Sequence, residues 1–195
     1  PGVRIVPLRN GGPFLLLDER HLLVLDPGSG APRVLYEWAE GPSAALSNRA
    51  GTQLLISDDV DDGATWYRVD VATGTNSEVV ELRGMSPVIT STVRDFVAFA
   101  PSLRPGPGTP GAPYRTYDLT SGTVTTVLEQ DSSDVYLSQP AGDANGRYTT
   151  VNAVSPGSGR IWLIDSQLGT ATQVATSPGN TDARVSPDGC QLAVA

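Results

Sequence analysis

An all-β chain of four-stranded antiparallel blades, a β-propeller, is the architecture this sequence predicts, and three observations predict it. First, an apolar run ending in Asp, with Gly four residues later, occurs four times: His21–Asp26 with Gly30, Trp66–Asp70 with Gly74, Tyr114–Asp118 with Gly122, and Ile161–Asp165 with Gly169. The Asp-to-Asp spacings are 44, 48 and 47, within the range of a four-stranded repeat unit. Second, each copy is flanked by further short runs rich in Val, Leu, Thr and Tyr and bounded by Gly, Pro, Asp and Ser, the signature of strands and turns. Third, no long window carries the apolar stripe of a helix free of Gly and Pro. A β-sandwich also fits short strands, but it needs no internal period, so the near-equal repeat favours the propeller.

The strands follow in order within each unit. Strand A is Val3–Val6, Ser43–Leu46, Val88–Ser91 and Asp134–Leu137. Strand B is Phe14–Leu17, Gln53–Ile56, Phe96–Phe99 and Tyr148–Val151. Strand C ends at the repeated Asp. Strand D is Pro32–Tyr36, Glu78–Leu82, Val124–Leu128 and Thr172–Ala175. The Asp accepts hydrogen bonds from amides of the C–D turn, and the Gly supplies a positive φ there. These expectations divide the chain into blades at about 1–40, 41–84, 85–131 and 132–178, with half a blade at 179–195.

Composition narrows the function. The 195 residues include 21 Gly and 16 Pro, with 39 % hydrophobic residues, enough for a core. All 13 basic residues are Arg, against 21 acidic ones, a net charge of −8. That balance argues against nucleic acid or an anionic membrane as a main partner, since both need clustered positive charge. No apolar run reaches the length of a membrane span. A single Cys excludes an internal disulfide framework, and a single His excludes any site needing two. Without Lys, Schiff-base and P-loop chemistry are excluded.

The stretch Asp182–Ala195, containing Ser186-Pro-Asp-Gly189, resembles the S-P-D-G-x-x-L-A signature of TolB-type, WD-like propeller repeats. The strand Ile161-Trp-Leu-Ile-Asp165 is similar to the strand that accompanies that signature. Degraded copies stand at Leu46–Leu55, Val93–Phe96 and Gly142–Gly146. The resemblance implies a propeller fold and a protein partner in an extracytoplasmic assembly, periplasmic or secreted, with no cofactor. It says little about activity, because propellers host many. Strands C and D of a fifth unit do not follow Ala195, so the sequence predicts about four and a half blades of a longer polypeptide and a larger ring. Closure of four blades onto the first is the alternative.

Candidate binding residues fall on the expected B–C loops, Ser57–Thr65, Pro101–Pro113 and Ser155–Arg160, which vary while the C–D turns keep one offset. Variable loops on a rigid scaffold are where contacts are grafted. The partner is therefore expected to touch Asp58, Asp59, Asp61, Asp62, Pro105, Pro107, Pro110, Pro113 and Arg160, with Trp38 at the edge as an exposed anchor. Asp58, Asp59, Asp61 and Asp62 are also a weak Ca²⁺ candidate, without EF-hand spacing; a solvated acidic turn is the plainer reading. Asp61–Trp66 resembles the end of the Asp-box hairpin of sialidase-like propellers and reads as a turn device. The Pro-rich loop, with five Pro and three Gly, is an insertion or a docking segment.

The other chemistry-bearing residues read as structural. His21 is expected on the surface, Cys190 in the core, and Trp38, Trp66, Trp162, Tyr67, Tyr114 and Tyr117 between blades, with Trp38 the one of them whose place in the D–A connection also suits exposure. No G-x-S-x-G elbow is present and no catalytic set assembles. The sequence therefore predicts a non-enzymatic protein–protein interaction scaffold. The alternative is the gating propeller of a prolyl-oligopeptidase-type serine hydrolase whose catalytic domain lies outside these residues. A propeller lyase acting on acidic sugars fits poorly, since such enzymes use several His ligands for a metal.

Overall fold

The computed structural model describes residues 4–7, 14–18, 20–25, 30–38, 42–60, 63–90, 95–101, 113–129, 136–137, 141–155, 158–177 and 183–194. They form β-propeller blades, each an antiparallel meander in chain order. The first sheet holds β1 (Arg4–Pro7), β2 (Phe14–Leu17), β3 (His21–Leu25) and β4 (Pro32–Glu37). The second holds β5 (Pro42–Ser47), β6 (Gln53–Val60), β7 (Gly63–Asp70) and β8 (Asn76–Glu78). The third holds β9 (Met85–Thr90), β10 (Phe96–Pro101), β11 (Tyr114–Asp118) and β12 (Val124–Leu128). In the fourth, the first strand is split into β13 (Tyr136–Leu137) and β14 (Ala141–Gly142), both paired with β15 (Tyr148–Ser155), which continues to β16 (Ser158–Asp165) and β17 (Thr170–Ser177). A last pair, β18 (Ala183–Val185) and β19 (Leu192–Val194), carries the S-P-D-G segment as its turn. The one helical element among the described residues is a 3-10 turn at Val80–Leu82.

The repeated Asp ends its strand at Asp70, Asp118 and Asp165, while Asp26 lies outside the described residues. All four repeat glycines have positive φ: 69° at Gly30, 74° at Gly74, 77° at Gly122 and 65° at Gly169. The degraded signatures adopt the same turn as the intact one. Gly51, Gly146 and Gly189 each donate to the carbonyl three residues back, at Asn48, Asp143 and Ser186. In each case the opening side chain also accepts from the amide that restarts the strand: Gln53 to Asn48 Oδ1, Tyr148 to Asp143 Oδ1, Gln191 to Ser186 Oγ. Asn, Asp and Ser are interchangeable here because each offers a short-stemmed acceptor oxygen. The copy expected at Val93–Phe96 is described only from residue 95.

Two expectations of element extent are corrected. Strand D of the second unit is Asn76–Glu78, not Glu78–Leu82. Beyond Glu78 the chain leaves the ladder and turns, which buries Val79 and Leu82 and turns Val80 outward. The first and third B–C loops are hairpins of extended strands. β6 and β7 stay paired out to Val60↔Gly63, and β15 and β16 out to Ser155↔Ser158, leaving two residues in each connection. The ladder extends past Ile56 because Ser57 and Trp66, cross-strand partners, are both buried.

The chain divides into two compact units, 1–84 with 119–122, and 85–118 with 123–195. The core of the first joins two sheets: Leu15, Leu22, Val24 and Leu35 meet Leu54, Ile56, Val69 and Val71, with Trp38 among them. Alternation along β3, where Leu22 and Val24 are buried between half-buried neighbours, is the period-two pattern of a strand with one face on the core. The core of the second unit gathers Ala98, Tyr114, Leu128, Val151 and Ile164, with Trp162 packed against it.

Candidate functional site

Each meander puts its A–B and C–D turns at one end of the sheet and its B–C connection at the other. At the turn end the polar side chains are spent on the turns. Asp70 Oδ1 accepts from Thr73 N at 2.8 Å and Thr73 Oγ1 at 2.9 Å, while Oδ2 accepts from Gln53 Nε2 at 2.7 Å. The Thr73 amide is the main reason its carboxyl lies below the ordinary value. Asp165 does the same in the second unit. Its Oδ1 accepts from Gln167 N and Leu168 N at 3.0 and 3.1 Å, and its Oδ2 from Arg147 Nε and Nη2 at 3.0 and 2.7 Å. Burial pushes the Asp165 carboxyl up, but the Arg147 bonds and the two amides outweigh it and hold the group low.

The turn end of the first unit also holds a cavity of about 860 Å³, lined by Val24, Pro32, Arg33, Thr52, Asp70 and Ala72 among others. Its volume falls within the range of small-molecule clefts, and it is open to solvent along the exposed Pro32, Arg33, Thr52 and Ala72. The sequence reading assigned these turns to structure alone and missed it. The walls come from residues some forty positions apart, so no local pattern announces them.

At the hairpin end of the second sheet, Asp58 is buried, at 8 % exposure. Its Oδ2 accepts from Tyr36 Oη at 3.3 Å, and its Oδ1 has no hydrogen-bond donor among the described residues. Tyr36 lies 5.4 Å from Trp38, edge to face at 69°, and 5.4 Å from Tyr67 at 39°, measured between ring centroids. Burial pushes the Tyr36 phenol well above its ordinary value, and the Asp58 charge adds to the shift.

Trp38 packs inside with the other aromatic residues, and only its alternative role as an exposed edge anchor is corrected. It is 1 % exposed, not an exposed anchor, and its Nε1 donates to Ser57 O at 2.8 Å. The sequence around it is polar, but the indole fills the space between two sheets and its one donor is satisfied there. Of the other expected contact residues, Arg160 and Pro113 are half-buried. Pro105, Pro107, Pro110, Asp61 and Asp62, with the side chain of Asp59, lie outside the described residues. Among the described residues no group of three His, Cys, Asp or Glu side chains is placed to hold a metal. Cys190 is exposed, not in the core, because it belongs to the turn before β19, where its amide donates to Asp188 Oδ1. His21 is half-buried, its Nδ1 3.0 Å from Asp18 Oδ1. The aromatic residues expected between blades are buried at Trp66, Tyr114 and Tyr117 and partly buried at Tyr67 and Trp162. Among the described residues no helix is long and apolar enough to cross a membrane.

No protein family and no curated protein matches the chain. Solved structures do match it. A prolyl endopeptidase aligns over 94 % of this chain and 31 % of its own, at 18 % identity and a TM-score of 0.55. An oligogalacturonate lyase from Vibrio parahaemolyticus aligns over 92 % of this chain and 54 % of its own, at 14 % identity and a TM-score of 0.54. TolB from Acinetobacter baumannii aligns over 92 % of this chain and 45 % of its own, at 16 % identity and a TM-score of 0.45. The chain thus spans about a third to a half of the length of these structures, and at such identities its likeness to the endopeptidase and the lyase is one of fold.

Proposed function

We propose that the chain is an interaction scaffold whose partner is a protein, within an extracytoplasmic assembly, and that it performs no chemistry of its own. The supporting observation is the contrast between the two ends of the second sheet. At the turn end, the Asp70 carboxylate is saturated by its own turn and by Gln53. At the hairpin end, Asp58 keeps an oxygen without a donor. An acidic segment, Asp58 to Asp62, continues there, and a partner presenting Arg or Lys complements it. The partner is best sought by cross-linking in extracts of the native source, followed by mapping of the linked peptides. Links concentrated on residues 57–65, lost as salt rises, are the expected result. Recovery of the chain alone at physiological salt, or links confined to the Asp26–Gly30 and Ser186–Gly189 turns, overturns the reading.

A second reading draws support from the prolyl endopeptidase match, in which this chain spans 31 % of the longer protein. On that reading the blades gate a serine hydrolase domain encoded in the same frame. A fluorophosphonate probe applied to the full-length protein separates the two. Covalent labelling of a serine outside this segment favours the enzyme, and no labelling favours the scaffold.

A further inference from the structure

The cavity of about 860 Å³ at the turn end of the first unit is a cleft walled by two blades. The first sheet supplies Ala31, Pro32 and Arg33, at the start of β4. The second supplies Ala50 from its A–B turn and Ala72 from its C–D turn, and all five are exposed. Val24 and Val71, both buried, complete the apolar lining. Two charged side chains border this surface, and they are in opposite states. The Asp70 carboxylate is spent, since Thr73 takes Oδ1 and Gln53 takes Oδ2. The Arg33 guanidinium is not. Among the described residues its hydrogen bonds both leave from Nη2, to the carbonyls of Val71 and Ala72, and no ion pair engages it. A guanidinium that meets only neutral carbonyls keeps its full charge, and the donors on Nε and Nη1, for an anion.

These walls select a ligand chemistry. Small apolar side chains facing an open cleft favour a hydrocarbon body, because burial of apolar area drives its entry. One guanidinium without a counter-ion favours one carboxylate, and the Asp70 charge in the same wall disfavours a second negative charge on the ligand. We propose that the cleft between the first two blades binds a small monocarboxylate with an apolar body. Its carboxylate accepts from Arg33, and its body lies against Ala31, Pro32, Ala50 and Ala72. The site stands apart from the scaffold reading, since it lies at the opposite end of the second sheet from Asp58 and needs no protein partner.

The probe is 4-phenylbutyrate, titrated into the intact chain and read at the assigned methyl resonances of Ala31, Ala50 and Ala72, which a phenyl ring in the cleft shifts by its ring current. Saturable shifts at all three methyls are expected. Binding should be at least about tenfold weaker for 4-phenylbutanamide, which keeps the body and loses the charge. Acetate, which keeps the charge and loses the body, should shift none of them over the same range. Arg33→Gln should weaken the acid by at least about tenfold and leave the amide unchanged, a split that a general loosening of the fold does not produce. Ala50→Trp, which fills the cleft from an exposed turn, should abolish the binding of both. The assignment is overturned by the absence of saturable shifts, by equal binding of acid and amide, or by acetate matching the acid. Unchanged binding of the acid to Arg33→Gln or to Ala50→Trp overturns it as well. Should Arg33→Gln fail to fold, the three probes on the unaltered chain still decide.

Discussion

The guanidinium of Arg33 is seated on Gly74. A Cβ on Gly74 would stand 3.0 Å from Arg33 Nη1, while Nη2 donates to Val71 O at 2.6 Å and Ala72 O at 3.2 Å. Arg68 repeats the arrangement with a different turn of the same unit. It donates to Ser121 O at 3.0 Å and Thr120 O at 2.9 Å, and a Cβ on Gly122 would collide with its guanidinium. These glycines therefore answer two demands, a positive φ and clearance for an arginine that caps the carbonyls of the turn.

Replacing either glycine by Ala should destabilise the chain, by about 1–2 kcal/mol for the left-handed backbone alone. At Gly122 the loss should be larger, because Arg68 must also give up its seat. A double-mutant cycle in urea checks this: the cost of Gly122→Ala should shrink in an Arg68→Ala background. Equal costs in both backgrounds would show that the arginine seat contributes nothing.

Asp165 gathers four donors, two from its own turn and two from Arg147. Asp165→Ala should cost about 1.5–3 kcal/mol, the range for losing hydrogen bonds to a charged group. Gly169→Val should cost at least as much, since φ is 65° and a Cβ would meet Thr125 Cγ2 at 2.9 Å. Thermal melts of both variants matching the parent would reject this account of the turn.

Acid should weaken the fold. The carboxyls of Asp18, Asp70, Asp165 and Asp188 lie below the ordinary value of 3.8. Backbone amides dominate at Asp18 and Asp70 and the Ser186 hydroxyl at Asp188, while at Asp165 the Arg147 bonds overcome burial. A folded-state value below the unfolded one means that the stabilisation is fully present above pH 3.8. It fades as the pH drops through the lower folded values, because the unfolded chain takes up protons first. Urea midpoints should be flat from pH 7 to about 5 and fall below about 4. Asp165→Asn should flatten part of that fall, and an unchanged acid limb in that variant would exclude Asp165 as a contributor.

Trp38 is a core residue, so Trp38→Ala should cost about 3–5 kcal/mol, as for large aromatic truncations. Trp38→Phe should cost less, since it loses the bond to Ser57 O but keeps much of the packing against Tyr36. A cost under about 0.5 kcal/mol for the Ala variant, the range of plain surface changes, would mean that the indole is exposed in solution.

Cys190 lies in an exposed turn, so its thiol should react with a bulky disulfide reagent under native conditions, at one equivalent per chain. Labelling that waits for denaturant would place it in the core.

The sequence by itself determined the repeat, the strand order and the turns. Their physical causes are local. An Asp carboxylate meets amides two or three residues on, as Asp165 meets Gln167 and Leu168, and a glycine supplies the positive φ within the same turn. Such contacts are written in spacing, and the Asp70–Gly74 and Asp165–Gly169 turns display them. Tertiary structure decided what depends on partners far along the chain. Arg33 finds its carbonyls 38 and 39 residues away and Arg68 finds its own 52 and 53 away. Trp38, in a polar stretch, is drawn into the core by a neighbouring sheet and a carbonyl 19 residues on. Asp58 reads as one carboxylate in an acidic run. Its burial beside Tyr36, and the oxygen left without a donor, arise only when two sheets pack face to face, because burial is a property of the assembled surfaces and not of the strand that carries the residue.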